Sequence, residues 1–282
     1  MITLKGVRKT FGPQAVLDGL DLDIPTGQRI ALVGSNGAGK TTFFRCLLGE
    51  YVHDGEIRVM GRDPRRDRAA VLGLVGFVPQ LPPPLRMPVG ALMTYVADLT
   101  GSSVARMDEI ADRLGLDIRP IRARPFVKLS GGMKQKLMIA TALGRDVRLL
   151  IMDEPAANLD PAARHALFDL LADRIGTTMI VSSHRLDEIA PLVNRVVELE
   201  RGKVVLDDVV TDAGALGSGF LARLELAGAD PAFARGAVEW GLSSADRDTS
   251  WQGEIAGPDR LRFLGFVARH SGVISGFEMR GR

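Results

Sequence analysis

Short apolar runs punctuated by glycine organise the first part of the chain. Ile30 to Val33, Leu74 to Val78, Val147 to Met152 and Met179 to Val181 are nearly continuous Ile, Leu, Val and Met. That is the pattern of strands covered on both faces of a parallel sheet. Val89 to Leu99, Val104 to Leu114 and Met133 to Leu143 read as helices, and Met1 to Gly6 reads as a strand. Strands alternating with helices predict an α/β core with a mostly parallel sheet. Beyond residue 213 the period changes. Phe220, Ala222, Leu224 and Leu226 alternate with small or polar residues, which predicts a strand. Asp230 followed by Pro231 is an N-cap with proline at the first helical position, Phe233, Ala237 and Trp240 share a helical face, and Gly241 closes it. Trp251 to Ala256 reads as a strand. Pro258 to Ser271 reads as a helix with Leu261, Leu264 and Ala268 inward and Gly272 ending it, and Val273 to Met279 as a last strand. The order β-α-β-α-β predicts a small α+β module, ferredoxin-like or related. Residues 214–282 hold both tryptophans and five of the 11 phenylalanines, so a separate core and a boundary between 1–213 and 214–282 are expected.

Chemistry concentrates where the apolar runs end. After Val33 comes Gly34-Ser35-Asn36-Gly37-Ala38-Gly39-Lys40-Thr41, a glycine-rich loop opening a helix at Lys40. Glycines let backbone N–H groups curl around phosphate oxygens, and the helix N-terminus adds partial positive charge. Lys40 can reach the β- and γ-phosphates, and the Thr41 hydroxyl can ligate Mg²⁺. The run to Met152 ends in Asp153-Glu154; the first carboxylate can hold Mg²⁺ and the second can orient or deprotonate an attacking water. Leu129-Ser130-Gly131-Gly132 precedes the helix from Met133 and makes a second anion cradle. One nucleotide does not need two cradles on one chain, whereas two copies head to tail would use both.

These stretches, in this order, resemble the ATP-binding cassette (ABC) ATPases over about residues 1–210. Gly34, Ser35, Asn36, Gly37, Ala38, Gly39, Lys40, Thr41 and Thr42 look like the Walker A loop, Gln80 like the Q-loop glutamine, and Leu129 to Met133 like the signature. Leu149 to Glu154 looks like Walker B, Asn158-Leu159-Asp160 like the D-loop, and His184 like the switch histidine; Phe11 falls where the family places an adenine-stacking aromatic. The resemblance implies a P-loop NTPase of ABC type: a RecA-like core plus a helical subdomain at about 81–145. It implies ATP and Mg²⁺ as cofactors, with Thr41, Gln80 and Asp153 facing the metal and Glu154, His184, Lys40 and Gln80 serving hydrolysis. Ser130, Gly131, Gly132 and Asp160 would face the nucleotide across a homodimer. It also implies integral membrane permease subunits as partners, gripped beside the Q-loop, and a place on the cytoplasmic face of the inner membrane reached only through that permease. Two departures stand out: the signature ends in Met133 rather than Gln, and Pro155-Ala156-Ala157-Asn158 replaces the more usual Thr-Ser-Gly approach to the D-loop. The 214–282 module resembles small C-terminal extensions on ATPases of bacterial exporters with separately encoded permeases.

Composition narrows the partners. Thirty-six basic against 34 acidic residues, a net charge of +2, point to neither nucleic acid nor an anionic membrane as a bulk partner. The mixed-sign stretch Arg62 to Arg68 reads as a solvated loop leading into a helix. The single Cys46 excludes an intramolecular disulfide and reads as a packed small residue. No signal-peptide architecture opens the chain, and no apolar run approaches the ~20 residues that span a bilayer. A transporter ATPase, probing outward, is therefore the leading expectation and an exporter the favoured kind. The alternative is a soluble ABC ATPase of the Fe–S assembly or repair type. Repair ATPases insert long coiled coils before the signature, and here that segment carries proline breaks and no sustained heptads.

Overall fold

The computed structural model describes residues 1–183, 186–209, 220–246, 248–255 and 259–281. Two of its sheets sandwich the first glycine-rich loop and its helix. The first is antiparallel, in the order β2-β1-β4, from β1 (Ile2–Phe11), β2 (Gln14–Ile24) and β4 (Asp54–Val59). The second has six strands in the order β5-β6-β7-β3-β8-β9. Its members are β3 (Arg29–Val33), β5 (Val75–Val78), β6 (Leu149–Asp153), β7 (Thr178–Ser182), β8 (Arg195–Glu200) and β9 (Lys203–Val209). All neighbouring pairs are parallel except β8 with β9.

Alternate residues of these strands feed two cores. Leu150, Met152, Met179 and Val181 join one apolar cluster with α3 (Val89–Thr100), α4 (Val104–Arg113) and α5 (Gly131–Leu143). Leu149, Ile151 and Ile180 join the other with Phe43 and Phe44 of α1 (Lys40–Leu47) and with Ile2, Leu22 and Ile57 of the antiparallel sheet. Burial on both faces is why these strands read as unbroken apolar runs. Truncating fully buried Phe43 to alanine would cost about 3–5 kcal/mol. Cys46 is buried and its thiol is pushed up to about 11 by desolvation, which agrees with a packed, unreactive residue.

The C-terminal strands form a third sheet, β11-β12-β10-β13, from β10 (Phe220–Leu226), β11 (Ser243–Asp246), β12 (Ser250–Ile255) and β13 (Ile274–Gly281). With α8 (Pro231–Glu239) and α9 (Arg260–Arg269) the order is β-α-β-β-α-β, one strand more than the sequence pattern predicts. That order and sheet arrangement are those of a ferredoxin-like module. β11 escapes periodicity because Ser243-Ser244-Ala245-Asp246 offers no apolar alternation. Asp230 caps α8 as expected, its Oδ1 accepting from the Phe233 N–H at 2.7 Å. α9 is shorter than Pro258 to Ser271 and faces differently. Phe263, Phe266 and Val267 fill the module's own core with Phe233 and Trp251. Ala268 packs instead against the larger cluster of the cassette. The expected inward face of Leu261, Leu264 and Ala268 is corrected on that point: a helix apolar on two sides is buried on two sides. Leu264 is buried, while the Leu261 side chain, Ala256 and Pro258 lie outside the described residues. His270 ends α9, Nδ1 lying 2.9 Å from the Phe266 carbonyl and its ring against Phe233 and Phe266, a packed helix end.

Candidate functional site

The parallel strands β3, β6 and β7 bring their C-terminal ends to one cleft, the place where open α/β sheets bind ligands. β3 delivers Gly34, whose φ of 144° and close approach to the Leu199 carbonyl leave no room for a Cβ. Gly39, at φ 110°, turns the loop into α1. The first turn of α1 holds no acidic residue, so its positive end is uncompensated by its own side chains. Ser35, Asn36, Gly37, Gly39, Lys40, Thr41, Thr42, Gln80, Asp153 and Glu154 line the cleft together with Val16. The loop, the glutamine and both carboxylates expected from sequence therefore meet in one place.

Lys40 is 8% exposed and its Nζ donates to the Gly34 and Ser35 carbonyls at 2.6 and 3.2 Å. Desolvation lowers its pKa, opposed by the nearby carboxylates of Glu154 and Asp153. A partly desolvated ammonium beside a glycine-rich loop at a helix N-terminus is a strong site for phosphate oxygens. Thr41 Oγ1 donates to Asp153 Oδ2 at 2.8 Å. A hydroxyl and a carboxylate that already touch are hard oxygen donors suited to Mg²⁺, which characteristically takes one or two protein oxygens and fills its remaining positions with water and phosphate. Among the described residues no three His, Cys, Asp or Glu cluster as an all-protein metal cage.

Two contributors escaped the sequence reading. Ser182 is fully buried at the end of β7, in register with Asp153 of β6. Its Oγ donates to Asp153 Oδ1 at 2.7 Å and accepts from the Glu154 N–H at 2.9 Å. Glu154 itself adopts φ 50°, a left-handed conformation uncommon outside glycine. The Ser182 hydroxyl thus fixes both carboxylate-bearing residues at once. Gln135 of α5, also fully buried, donates from Nε2 to the Pro155 carbonyl at 3.1 Å and ties the signature helix to the same turn. Their signals were a serine pair before position 184 and a glutamine inside an apolar helix, neither of which reveals its partner.

Other expected residues lie elsewhere. Phe11 does not line the cleft; it stands edge-on to Tyr51 at 5.3 Å beneath the Lys9 ammonium at 4.6 Å. Ala38 is buried under the loop. Ser130 caps α5, its Oγ accepting from the Met133 N–H at 3.3 Å, and Ser130, Gly131 and Gly132 sit apart from this cleft. Asp160 is occupied twice, capping α6 (Pro161–Ala172) through the Ala163 N–H at 2.9 Å and pairing with Lys136 at 2.8 Å. Those bonds hold its pKa down, the Lys136 hydrogen bond contributing most. His184 lies outside the described residues.

A family model described as ABC transporter matches residues 17–157. A Nod factor export ATP-binding protein of a Rhizobium species is 35% identical over 209 residues, covering 72% of this chain and 68% of the relative. The chain belongs to the ABC transporter ATP-binding family. An aliphatic sulfonates import ATP-binding protein of Nocardia farcinica is 34% identical, covering 74% of this chain and 82% of the relative. The solved structure of an ATP-binding subunit of an ABC transporter superposes with a TM-score of 0.67 at 25% identity, covering 74% of this chain and 90% of that one. This chain is accordingly an ABC ATPase and the ATP-binding subunit of a transporter. No helix among the described residues is long and apolar enough to cross a membrane.

Proposed function

We propose that this ABC ATPase powers an exporter as a homodimer beneath separately encoded permease subunits, on the cytoplasmic face of the inner membrane. The observation that carries the paired reading is the separation of two anion cradles. The loop before α1 shares its cleft with Asp153 and Glu154, whereas Ser130 and Gly131 are exposed at the start of α5 and away from it. Two copies arranged head to tail give each nucleotide one cradle from each chain. The outward direction draws on the Nod factor export relative, and the sulfonate import relative is the competing precedent. Residues 1–213 form the ATPase domain, with 81–145 as its helical subdomain, and 214–282 the C-terminal domain.

In the cycle, Lys40 and the loop N–H groups take the β- and γ-phosphates, and Thr41, Asp153 and Gln80 would hold Mg²⁺. Held there, the metal would supply neutralisation of charge developing on the phosphates. Glu154 orients the attacking water and receives its proton, while His184 contacts the γ-phosphate. Closure of the pair onto ATP binds one state better than the other, which is what lets a ligand drive motion. Exposed Leu81, next after Gln80, together with exposed Met87 and Tyr95 further along the chain, offers apolar footing for a permease segment.

Glu154→Gln tests the assignment. It is expected to bind ATP but lose about a hundredfold or more in turnover. Tagged Glu154→Gln recovered with ATP from solubilised membranes should bring down a stoichiometric multi-span membrane protein. Recovery only with a soluble assembly or repair factor would overturn the transporter assignment.

A further inference from the structure

The C-terminal module is wired to the back of the ATP site. α7 spans only Leu186–Ile189 and begins two positions after His184. A single turn of helix is not stable alone and must be held by packing. On one side α6 holds it: Arg164 Nη1 donates to Glu188 Oε1 at 3.0 Å, and Nη2 reaches the Leu159 carbonyl of the D-loop at 3.5 Å. On another side α9 of the C-terminal module packs against both α7 and β8. Ala268 of α9 joins the apolar cluster that contains Ile189, Leu192, Val193 and Val196.

An ion pair pins the start of α9. Arg260 Nη2 lies 2.6 and 2.7 Å from the two carboxylate oxygens of Asp208 on β9, and its guanidinium stacks 4.5 Å from the Phe220 ring centre. Both side chains are largely buried, so this pair is firmer than a surface ion pair. Beyond the other end the Ser271 side chain lies near the Glu198 carboxyl and lowers its pKa against the effect of burial. Glu198 is 4% exposed on β8, in register with Val33, the last residue before the phosphate loop. α9 therefore grips the two elements that flank the cleft, the helix after the switch position and the strand beside β3.

We propose that the C-terminal module is a positioning element for ATP hydrolysis: α9, through Ala268 and the Arg260–Asp208 pair, holds α7 in place and thereby keeps the switch segment ready for the γ-phosphate. The inference rests on the assignment of His184 as the switch residue. The module thus acts on the chemical step from outside the cleft, without touching nucleotide.

The test uses full-length protein. Ala268→Trp wedges α9 from α7, and Arg260→Glu sets like charge against Asp208. Each is expected to lower kcat about tenfold while KM for ATP stays within about twofold, because geometry rather than binding is lost. Amide exchange over residues 186–193 should quicken in both, and binding of a fluorescent ATP analogue should persist, showing that the loop before α1 remains folded. Arg260→Lys should recover much of the turnover. Wild-type kcat in variants whose 186–193 amides exchange faster would overturn the proposal, and so would a kcat above wild type. A rise in KM matching the loss in kcat would reduce the contact to a structural one. His184→Ala, made separately, keeps the two claims apart. Lost turnover there with unchanged turnover in both wedge variants refutes only the positioning role, whereas retained turnover in His184→Ala removes the switch assignment beneath it.

Discussion

The six-stranded sheet and the C-terminal sheet use opposite designs. In the first, parallel strands such as β6 are buried on both faces, and their ends converge on a cleft with Lys40, Thr41, Asp153 and Glu154. In the second, β10 alternates buried Phe220, Ala222, Leu224 and Leu226 with exposed Leu221, Arg223 and Glu225 between antiparallel neighbours. Parallel strands all point the same way, so their ends accumulate polar loops at one edge and can build a site. Antiparallel strands send successive ends to opposite edges. What the second sheet contributes is a surface, and the surface it offers the cassette is the second face of α9.

The sharpest break in that contrast comes from the loop. Lys40→Ala should weaken ATP binding about a hundredfold by removing a buried cation of the cleft, read by titration with a fluorescent analogue. The C-terminal module should melt as before; a collapse of both would show that the two designs are not separable. Smaller is the effect expected at the junction of β6 and β7. Ser182→Ala leaves the buried Glu154 N–H and one Asp153 oxygen without their partner, so kcat should fall about tenfold with KM for ATP nearly constant. Ser182→Thr should restore activity and Ser182→Val should not; equal rates in all three would remove Ser182 from the site.

The smallest effect lies where the sheets' territories meet. Burial pushes the Glu198 carboxyl above its ordinary range, opposed by the nearby Ser271 side chain. The folded chain then keeps this proton to higher pH than the unfolded chain, so stability falls as pH rises from the ordinary carboxylate range through the raised value. Glu198→Gln removes that cost. Its Tm should exceed wild type by about 1–3 °C near pH 7.5, and the gain should vanish near about pH 4, where both forms are neutral. A gain that persists at acid pH would place the effect in packing instead of charge.

The parts legible in sequence share one property, that their signal is local. Gly34 to Thr41 needs only its own spacing, and Leu149 to Glu154 announces a buried strand with acids at its tip. Ser182 needed the register that sets it opposite Asp153, a pairing across 29 positions that no local pattern carries. α9 was misread for a related reason. Phe263, Leu264, Phe266, Val267 and Ala268 form one apolar arc of roughly 200°, so periodicity cannot say which part of it meets its own sheet and which meets the cassette. β11 was lost because a short polar edge strand is defined by its hydrogen bonds to β12.

Glu154 carries a further consequence. Its left-handed backbone costs a side-chain-bearing residue on the order of 1–2 kcal/mol, a cost glycine would not bear. Random drift at this codon is therefore rewarded with a sturdier protein when it arrives at glycine and so discards the carboxylate. Only continued selection for turnover opposes that pull, so a descendant relieved of its work would be expected to shed this position early and gain robustness as it fell silent.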